Sequence, residues 1–372
     1  MKQIAIVLGT RPEAIKLIPL YLKFKESKFF NPVLISTGQH KEMLEQIFSF
    51  FNLWPDIELN VMSNNQGLSG LTSILFQKLE EVISRYKFDG IIVQGDTSTA
   101  MVGSMVCFYN KVKVIHIEAG LRTYDKFSPF PEEVNRRIIG LVADFHFAPT
   151  EKAAKALEKE NLNGIYIVGN TVIDSLILAM KKIAADEEKY KTNLEISFPD
   201  FENKRLVLVT GHRRENFGKG FEEICKALAM LADKHKELSF VYPVHLNPNV
   251  RQTVFKFLQE YKNIHLIDPL PYDQLLYLMS KSVLILTDSG GIQEEAPSLN
   301  IPLIVMRDNT ERPEGIEAGC AVLAGTTASN IVNLFKRIYE DQKTYNKMAQ
   351  AVNPYGDGKS AERIVQVLEK EL

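Results

Sequence analysis

Short runs of apolar, mostly β-branched residues alternate along this chain with longer stretches in which apolar positions recur at helical spacing. Six runs in the first half predict strands, at Gln3–Leu8, Asn31–Ser36, Gly90–Gln94, Val112–Ile117, Phe145–Ala148 and Ile165–Val168. Helices are predicted between them, for example over Glu13–Lys25, Gly70–Arg85 and Thr97–Tyr109. Strands that alternate with helices in this way are typical of parallel βαβ architecture.

The second half of the chain repeats the same alternation. Its predicted strands are Leu206–Thr210, Ser239–Tyr242, Ile264–Ile267, Val283–Leu286 and Leu303–Val305. Between the halves lie a charged helical stretch, Thr171–Thr192, and a loop around Phe198–Asn203. The pattern therefore predicts an α/β protein with two doubly wound parallel-sheet domains that face each other across a cleft.

The composition excludes several classes of protein. The chain has 372 residues, too many for one ordinary core, with 45% hydrophobic residues, 24% charged residues and a net charge of −2. It lacks the excess of basic residues that nucleic-acid binding requires, and no apolar run approaches the roughly 20 residues of a membrane span. Cys107, Cys225 and Cys320 are widely spaced, which is typical of reduced core cysteines in a cytoplasmic protein and not of a zinc site.

The segment from Val283 to Pro297 carries the strongest local signal for a ligand. An apolar strand stops at Asp288-Ser289-Gly290-Gly291, and the next five residues open a helix. The N–H groups at a helix start favour an anion, and paired glycines let a phosphate approach the backbone. Glu294 and Glu295 follow one turn later, where carboxylates accept hydrogen bonds from sugar hydroxyls. The alternative is an ordinary strand-to-helix turn with Ser289 as its N-cap.

Cations and carboxylates follow other predicted strands. Ligands of doubly wound sheets bind at the carboxyl ends of the strands, so these positions are where chemistry is expected. Arg11 and Lys16 place two cations beside a helix start, which suits a diphosphate, although both also fit an ordinary solvated surface. The GxGxxG fingerprint does not occur in the sequence, which argues against a bound nicotinamide or flavin.

Three acids and a histidine complete the candidate site. Asp96 and Glu118 stand at strand ends, Glu132 follows a proline-rigid loop, and His212 stands beside two arginines after another strand. Such groups suffice for general acid–base catalysis, while Arg312 adds a further cation. Asp96 is equally consistent with an ordinary helix N-cap, and Glu132 with a carboxylate that only complements the helix dipole. The residues indicate a nucleotide-sugar ligand, but they do not choose between glycosyl transfer and epimerisation.

The sequence resembles one family in eleven motifs that run in order from residue 8 to residue 358. They are GTRPEAIK, QHKEML, QGDTST, HIEAGLRT, SPFPEEVNR, VGNTVID, TGHRREN, YPVHLNPNV, TDSGGIQEEAPS, RDNTERPE and NPYGDG. They resemble the non-hydrolysing UDP-N-acetylglucosamine 2-epimerases of bacteria. The resemblance implies a GT-B fold, in which two Rossmann-like domains hold the active site in the cleft between them. The implied domains are 1–169, with a crossing helix over 359–372, and 170–358.

The resemblance also implies a reaction and a biological setting. UDP leaves C1 as a base removes the C2 proton, which gives a 2-acetamidoglucal intermediate, and UDP then adds back with protonation of C2 on the opposite face. No cofactor is required. The implied protein is a cytoplasmic homodimer that makes UDP-N-acetylmannosamine for cell-surface polysaccharide, with UDP-N-acetylglucosamine and UDP as its ligands and neither nucleic acid nor membrane as a partner.

Roles for individual residues follow from the same resemblance. UDP is held by Arg11, Lys16, His212, Ser289, Gly290, Gly291, Glu295 and Arg312, with Glu295 on the ribose and His212 at the leaving diphosphate. The acid–base residues are Asp96, Glu118 and Glu132, and the sequence does not assign the proton donor and acceptor among them.

Two positions depart from the family pattern. Many members have an aromatic residue near the uracil, where this chain has Leu275. Some members bind a second substrate molecule as an activator, through residues that match Gln39, Arg213 and His245 and through an arginine where this chain has Asn65. We therefore expect weak or absent substrate activation.

Three other functions compete with this reading. A GT-B glycosyltransferase would share the fold and the UDP site but would require an acceptor site. A hydrolysing epimerase would let water capture the intermediate and release free N-acetylmannosamine. A nucleotide-sugar sensor without activity would not require three acids.

Overall fold

The computed structural model describes residues 1–63, 66–198 and 204–372. The chain divides into two compact units, of which unit 1 comprises Met1–Leu178 with Tyr355–Leu372 and unit 2 comprises Ala179–Pro354. The domain boundaries expected from the sequence, at 169/170 and 358/359, remain a prediction.

The strands of the described residues all pair in parallel. They are β1 (Lys2–Leu8), β2 (Phe30–Ser36), β3 (Ile57–Glu58), β4 (Gly90–Gln94), β5 (Lys113–Ile117), β6 (Phe145–Ala148), β7 (Ile165–Ile167), β8 (Arg205–Thr210), β9 (Leu238–Pro243), β10 (Ile264–Ile267), β11 (Ser282–Thr287), β12 (Leu303–Val305) and β13 (Ala321–Leu323). Unit 1 orders its strands β3-β2-β1-β4-β5-β6-β7, and unit 2 orders its strands β10-β9-β8-β11-β12-β13.

Helices connect these strands in both units. They are α1 (Arg11–Glu26), α2 (Lys41–Phe51), α3 (Leu68–Arg85), α4 (Ser98–Tyr109), α5 (Glu132–Val142), α6 (Glu151–Lys159), α7 (Thr171–Ala185), α8 (Glu187–Ser197), α9 (Lys219–Lys234), α10 (Pro248–Leu258), α11 (Tyr272–Ser280), α12 (Gly290–Glu295), α13 (Pro313–Glu317), α14 (Ala328–Tyr339), α15 (Gln342–Ala349) and α16 (Ser360–Glu371).

Each sheet reverses its strand order at one point. In unit 1 the first strand, β1, pairs with β2 on one side and β4 on the other, and in unit 2 β8 pairs in the same way with β9 and β11. Connections leave the sheet in opposite directions at such a point, which opens a crevice outside the carboxyl ends of the two central strands. The loops after β1, β4, β8 and β11 are therefore placed to bind ligands.

Burial explains why the central strands are continuous apolar runs. Ile4 to Leu8 of β1 are fully buried, and so are Leu284 to Leu286 of β11, because helices cover both faces of each sheet. In unit 2, Phe221 of α9 and Phe335 of α14 pack into the same core as Phe240 of β9. In unit 1, α16 packs on α1, and Asp174 of α7 accepts hydrogen bonds from the first two N–H groups of α16, at 3.2 and 2.9 Å.

The predicted α/β class with doubly wound parallel sheets is confirmed. The pattern did not predict β3, which has two residues, or β13, in which one of three residues is β-branched. The charged stretch Thr171–Thr192 is divided between α7 and α8, with Asp186 between them. Residues 199–203 of the predicted loop lie outside the described residues. Among the helices of the described ranges, none is both long and apolar enough to cross a bilayer.

Candidate active site

Glu118 lies at the carboxyl end of β5 in unit 1 and is 9% exposed. Lys16 of α1 donates to Glu118 Oε1 at 2.5 Å, and Asn170 Nδ2 donates to the same oxygen at 2.9 Å. Gln94, the last residue of β4, donates to Oε2. Glu118 has a φ of 62°, a left-handed conformation that costs a residue with a Cβ on the order of 1 kcal/mol and that is concentrated at functional sites. The fold thus holds this carboxylate in one orientation.

Asp96 lies on the neighbouring loop, two residues after β4. Its Oδ2 accepts a hydrogen bond from Arg136 Nε at 2.7 Å, and Arg136 also contacts Glu133 at 3.2 Å. Asn135 Nδ2 donates to the Asp96 backbone carbonyl at 2.8 Å, so helix α5 positions this loop. Burial raises the pKa of Asp96, Arg136 opposes that rise, and the charge of Glu118 adds to it. Asp96 and Glu118 therefore influence each other's protonation.

A third carboxyl group, that of Glu13, is fully buried and joins the loops after β1 and β4. Its Oε2 accepts hydrogen bonds from the N–H groups of Gly9 and Thr10 and from the Thr10 hydroxyl, at 3.0, 2.8 and 2.8 Å. Its Oε1 accepts a hydrogen bond from Thr97 at 2.7 Å. Burial raises the pKa of Glu13 to about 7, because these donors offset only part of the loss of solvent. The sequence reading did not single out this residue.

The other predicted residues of unit 1 lie near this edge of the sheet. Arg11 is the first residue of α1, and Glu132 is the first residue of α5; both are half-buried. Gln39 accepts a hydrogen bond from Thr99 at 3.3 Å. The carboxylate that contacts Arg136 belongs to Glu133, the residue after Glu132. The UDP contacts of Lys16 and Arg11 and the acid–base role of Glu132 remain predictions.

His116 of β5 has a structural role. Its side chain is 1% exposed, and its Nε2 lies 2.7 Å from the carbonyl oxygen of Gly95. Burial lowers the pKa of His116 to about 3, so the ring is neutral at physiological pH. It supports the loop that carries Asp96.

In unit 2, Asp288 organises the loops at the switch point. It follows β11 and is fully buried, and its Oδ2 accepts hydrogen bonds from the N–H groups of His212 and Arg213, at 2.9 and 2.8 Å, and from Asn216 Nδ2 at 3.3 Å. His212 Nδ1 lies 3.5 Å from Asp288 Oδ1. The His212 ring also stacks on His245, with 5.4 Å between the ring centroids and 13° between the planes.

Arginine side chains concentrate positive charge beside this loop. Burial lowers the pKa of Arg213, and the neighbouring charges of Arg307 and Arg312 lower it further. Among the described residues, Arg213 Nε is buried and has no hydrogen-bond partner. A buried donor without a partner is costly. The local charge and this donor both favour an anionic ligand at the end of β11.

The two glycines that begin α12 have different surroundings. A Cβ on Gly290 would lie 2.8 Å from Cζ of Arg312, whereas no atom of the described residues lies within 4 Å of a Cβ on Gly291. Ser289 is the N-cap residue, and its side chain makes no capping hydrogen bond. Arg312 packs over the first glycine, and the second faces open space that can admit a phosphate.

The two glutamates of α12 have separate partners. Glu294, which the sequence offered as a ligand for sugar hydroxyls, is 3% exposed and accepts a hydrogen bond from Arg312 Nε at 2.7 Å. It therefore positions a cation. Glu295 Oε1 accepts a hydrogen bond from the Tyr272 hydroxyl at 3.2 Å. Its predicted contact with a ribose remains a prediction.

A pocket of about 480 Å³ opens at the carboxyl ends of β9 and β10. It is lined by Val244, Arg251, Phe255, Leu266, Ile267, Asp268, Pro269, Leu270, Pro271 and Gln274. Its volume is within the range of small-molecule sites. Leu275, at the position where an aromatic residue was expected, is half-buried and follows Gln274 in α11.

Comparison with known proteins decides the family. The family model described as UDP-N-acetylglucosamine 2-epimerase matches residues 22–369. The chain belongs to the UDP-N-acetylglucosamine 2-epimerase family. The UDP-N-acetylglucosamine 2-epimerase of Campylobacter jejuni is 48% identical over 375 residues, which cover 100% of this chain and 98% of the relative.

Solved structures of the same family share the fold. The UDP-GlcNAc 2-epimerase of Neisseria meningitidis bound to UDP-GlcNAc is 43% identical, with a TM-score of 0.92 and full coverage of both chains. The Methanocaldococcus jannaschii UDP-GlcNAc 2-epimerase in complex with UDP-GlcNAc and UDP is 33% identical, with a TM-score of 0.83 and 99% coverage of both. The resemblance found in the motifs and the GT-B class of fold are thereby confirmed.

Several residues that contact the predicted site residues or support their loops were missed in the sequence. They are Glu13, Gln94, Glu133, Asn135, Arg136, Asn170, Tyr272 and Asp288. Most of them lie inside the motifs GTRPEAIK, QGDTST, SPFPEEVNR, VGNTVID and TDSGGIQEEAPS, which was the available signal. Within residues 1–63, 66–198 and 204–372, no group of three or more His, Cys, Asp or Glu side chains is placed to hold a metal ion.

Proposed function

We propose that this chain interconverts UDP-N-acetylglucosamine and UDP-N-acetylmannosamine by inversion at C2, through elimination and re-addition of UDP. The observation that carries the proposal is the pair of oriented carboxylates Asp96 and Glu118, each with a cation and each with the other as a neighbour. Membership of the epimerase family supports it, as do the relatives from N. meningitidis and M. jannaschii whose structures contain UDP-GlcNAc.

The elimination step needs a base for the C2 proton. The C1–O bond breaks with its electron pair on UDP, the C2–H bond supplies the electrons of the new C1–C2 double bond, and a carboxylate takes the proton. A carboxylate that is ionised while its neighbour is protonated suits this exchange, because two close carboxylates do not both ionise readily. Asp96, Glu118 and Glu132 are the proposed acid–base residues.

The second step returns UDP to C1 of the 2-acetamidoglucal and a proton to the opposite face of C2. Atoms and charge balance over the cycle without an oxidant or a cofactor. Inversion requires protons to be exchanged on both faces of the sugar, so more than one acid is needed. We assign this exchange to the carboxyl groups at the strand ends of unit 1.

The departing UDP is an anion, and unit 2 supplies the charges to hold it. We assign His212, Ser289, Gly290, Gly291, Glu295 and Arg312 to UDP, with Arg11 and Lys16 as further cations from unit 1. The open space at Gly291 and the unpartnered Nε of Arg213 support this assignment. The pocket at the end of β10 has the size for a uracil ring.

Three further expectations belong to the same proposal. They are the homodimer, the cytoplasmic location and the supply of UDP-N-acetylmannosamine to surface-polysaccharide synthesis. We also propose that Gln39, Arg213 and His245 give weak or no activation by a second substrate molecule. The expected departure at Asn65 lies outside the described residues, so this point depends on kinetics. A hyperbolic rate curve is expected, and a strongly sigmoidal one would contradict it.

Proton NMR of the protein with UDP-N-acetylglucosamine in D₂O tests the central proposal. We expect a new anomeric signal of UDP-N-acetylmannosamine and deuterium at C2 of both epimers. Free N-acetylmannosamine with UDP would instead identify a hydrolysing enzyme. An unchanged sugar with broadened signals would indicate binding without this reaction and would overturn the proposal.

A further inference from the structure

The buried carboxylate of Asp288 has one oxygen in use and one without a hydrogen-bond partner. Oδ2 accepts the two backbone N–H groups and the Asn216 amide described above. Oδ1 is buried and, among the described residues, accepts no hydrogen bond. The ring nitrogen Nδ1 of His212 lies 3.5 Å from it. An unpaired buried carboxylate oxygen is costly, so a donor facing it is favoured.

We infer that Asp288 is a positioning residue that turns Nδ1–H of His212 toward the sheet, so that Nε2 is the nitrogen that serves the ligand. A small rotation of the ring closes the 3.5 Å contact into a hydrogen bond, and contacts of this kind are often long before a ligand binds. The inference rests on the proposed role of His212 at the diphosphate, and it adds the residue that fixes the tautomer of this histidine.

The partner ring of His245 supports this arrangement. His245 Nδ1 accepts a hydrogen bond from the N–H of Asn247 at 3.1 Å, so this nitrogen carries no proton and the ring is neutral. A neutral imidazole stacked at 5.4 Å does not repel a positive charge on His212.

The carboxylate also favours the protonated form of His212, in which both ring nitrogens donate. Nδ1 then donates to Asp288 and Nε2 to an oxygen of the diphosphate. The other charged groups around this loop are Arg213, Arg307, Arg312 and Glu215. The arginines oppose a further positive charge, so the negative charge of Asp288 is what offsets them.

The first test observes the His212 ring directly. The protein is labelled with ¹⁵N in its histidine rings, the His212 signals are assigned by their loss in His212→Asn, and their shifts are followed from pH 5 to pH 9. The wild type should show a protonated Nδ1. In Asp288→Asn, the amide oxygen replaces Oδ2 and the amide N–H faces Nδ1, so the ring should change to the Nε2–H tautomer. An unprotonated Nδ1 in the neutral wild-type ring would overturn the inference, even if Asp288→Asn failed to fold.

The second test separates a role through His212 from a merely structural one. We expect Asp288→Asn to lower kcat on the order of a hundredfold, the range for loss of one preorganised donor to a developing anion. In a His212→Asn background the same change should cost less than about twofold, because residues that act as a unit are not additive. Equal losses in both backgrounds would contradict the inference.

A matched control and a separate readout complete the design. Asp233→Asn makes the same chemical change at an exposed side chain of unit 2 and should leave kcat unchanged. The NMR tautomer does not depend on turnover, so the inference and the proposed function fail separately. An inactive wild type with a protonated Nδ1 would overturn the epimerase proposal, whereas an active wild type with an unprotonated Nδ1 would overturn the role of Asp288.

Discussion

The two units have the same order of central strands, yet they use charged residues at the switch point in opposite ways. In unit 1 the cations orient the carboxylates, since Lys16 contacts Glu118 and Arg136 contacts Asp96. In unit 2 the carboxylates position the groups around them. Glu294 orients Arg312, and Asp288 holds the backbone of the loop that carries His212.

This contrast shows how one topology supports two kinds of chemistry. The switch point supplies loops and a crevice, and the sign of the group that is left to face a ligand decides whether the edge exchanges protons or binds an anion. Changes to the carboxylates of unit 1 should therefore lower turnover, and changes at the start of α12 in unit 2 should weaken UDP binding.

The largest effect is expected for Glu118→Gln in unit 1. The amide keeps the size of the side chain but removes the basic carboxylate, so kcat should fall by about a thousandfold, within the range for loss of an acid–base group. The Kd for UDP, measured by titration calorimetry, should change less than about twofold. A loss of UDP affinity as large as the loss of kcat would break the contrast between the units.

Glu13→Gln should change stability and its dependence on pH. The pKa of Glu13 is raised from 4.5 to about 7, so folding favours the protonated form. Protonated Glu13 stabilises the fold fully below pH 4.5, and this stabilisation is lost as the pH rises through 7. The free energy of unfolding falls by about 3 kcal/mol in total. Relative to wild type, the variant should thus gain stability between pH 5 and pH 8. The Tm values of the variant and the wild type, measured by calorimetry at pH 5 and at pH 8, test this expectation.

The exposed Glu26 of the same helix provides the control for that experiment. Glu26→Gln removes the same charge from a side chain that is 66% exposed, and its Tm should follow that of the wild type at both pH values. If the difference between Glu13→Gln and wild type were the same at pH 5 and pH 8, the raised pKa of Glu13 would be refuted.

Substitution of alanine for each glycine of α12 tests how unit 2 binds UDP. Gly290→Ala should weaken UDP binding roughly tenfold, about 1.4 kcal/mol, because its Cβ displaces the guanidinium of Arg312. Gly291→Ala meets no protein atom, so it should leave Tm unchanged and weaken UDP only by crowding the phosphate.

The two mechanisms differ when Arg312 is absent. In an Arg312→Ala background, Gly290→Ala should have no further effect on the Kd for UDP, whereas Gly291→Ala should keep its effect. Unaltered UDP affinity in Gly291→Ala would show that no phosphate lies against this glycine.

The smallest effect concerns the protonation of Asp96. Arg136→Gln removes the cation that lowers the pKa of this carboxyl group, so the limb of the kcat/KM–pH profile that reports Asp96 should move to higher pH. The direction is the same whether Asp96 acts as acid or as base. The control is Arg137→Gln, which alters the exposed neighbour. A profile that does not move, or that moves down, would contradict the assignment of Arg136 to Asp96.

The sequence by itself determined the class of fold and most of the strand ends. Strands such as β4 and β12 are buried on both faces and are therefore continuous apolar runs. Their predicted limits coincide with the observed ones. The family could also be predicted, because eleven short motifs in a fixed order are specific to it even without a structure. Edge strands β3 and β13 escaped detection, since β3 has only two residues and β13 has one β-branched residue among its three.

Only the tertiary structure decided which polar residues act together. Lys16 and Glu118 are 102 residues apart, and Asp96 and Arg136 are 40 apart, so no local pattern links them. Lys16 is predicted to bind phosphate, and the fold also brings it against the carboxylate of Glu118. Glu294 was predicted to bind sugar hydroxyls, and the fold brings it against Arg312. A charged side chain takes its function from the partner that folding brings within hydrogen-bond distance, and the physical cause is the cost of burying a charge without one.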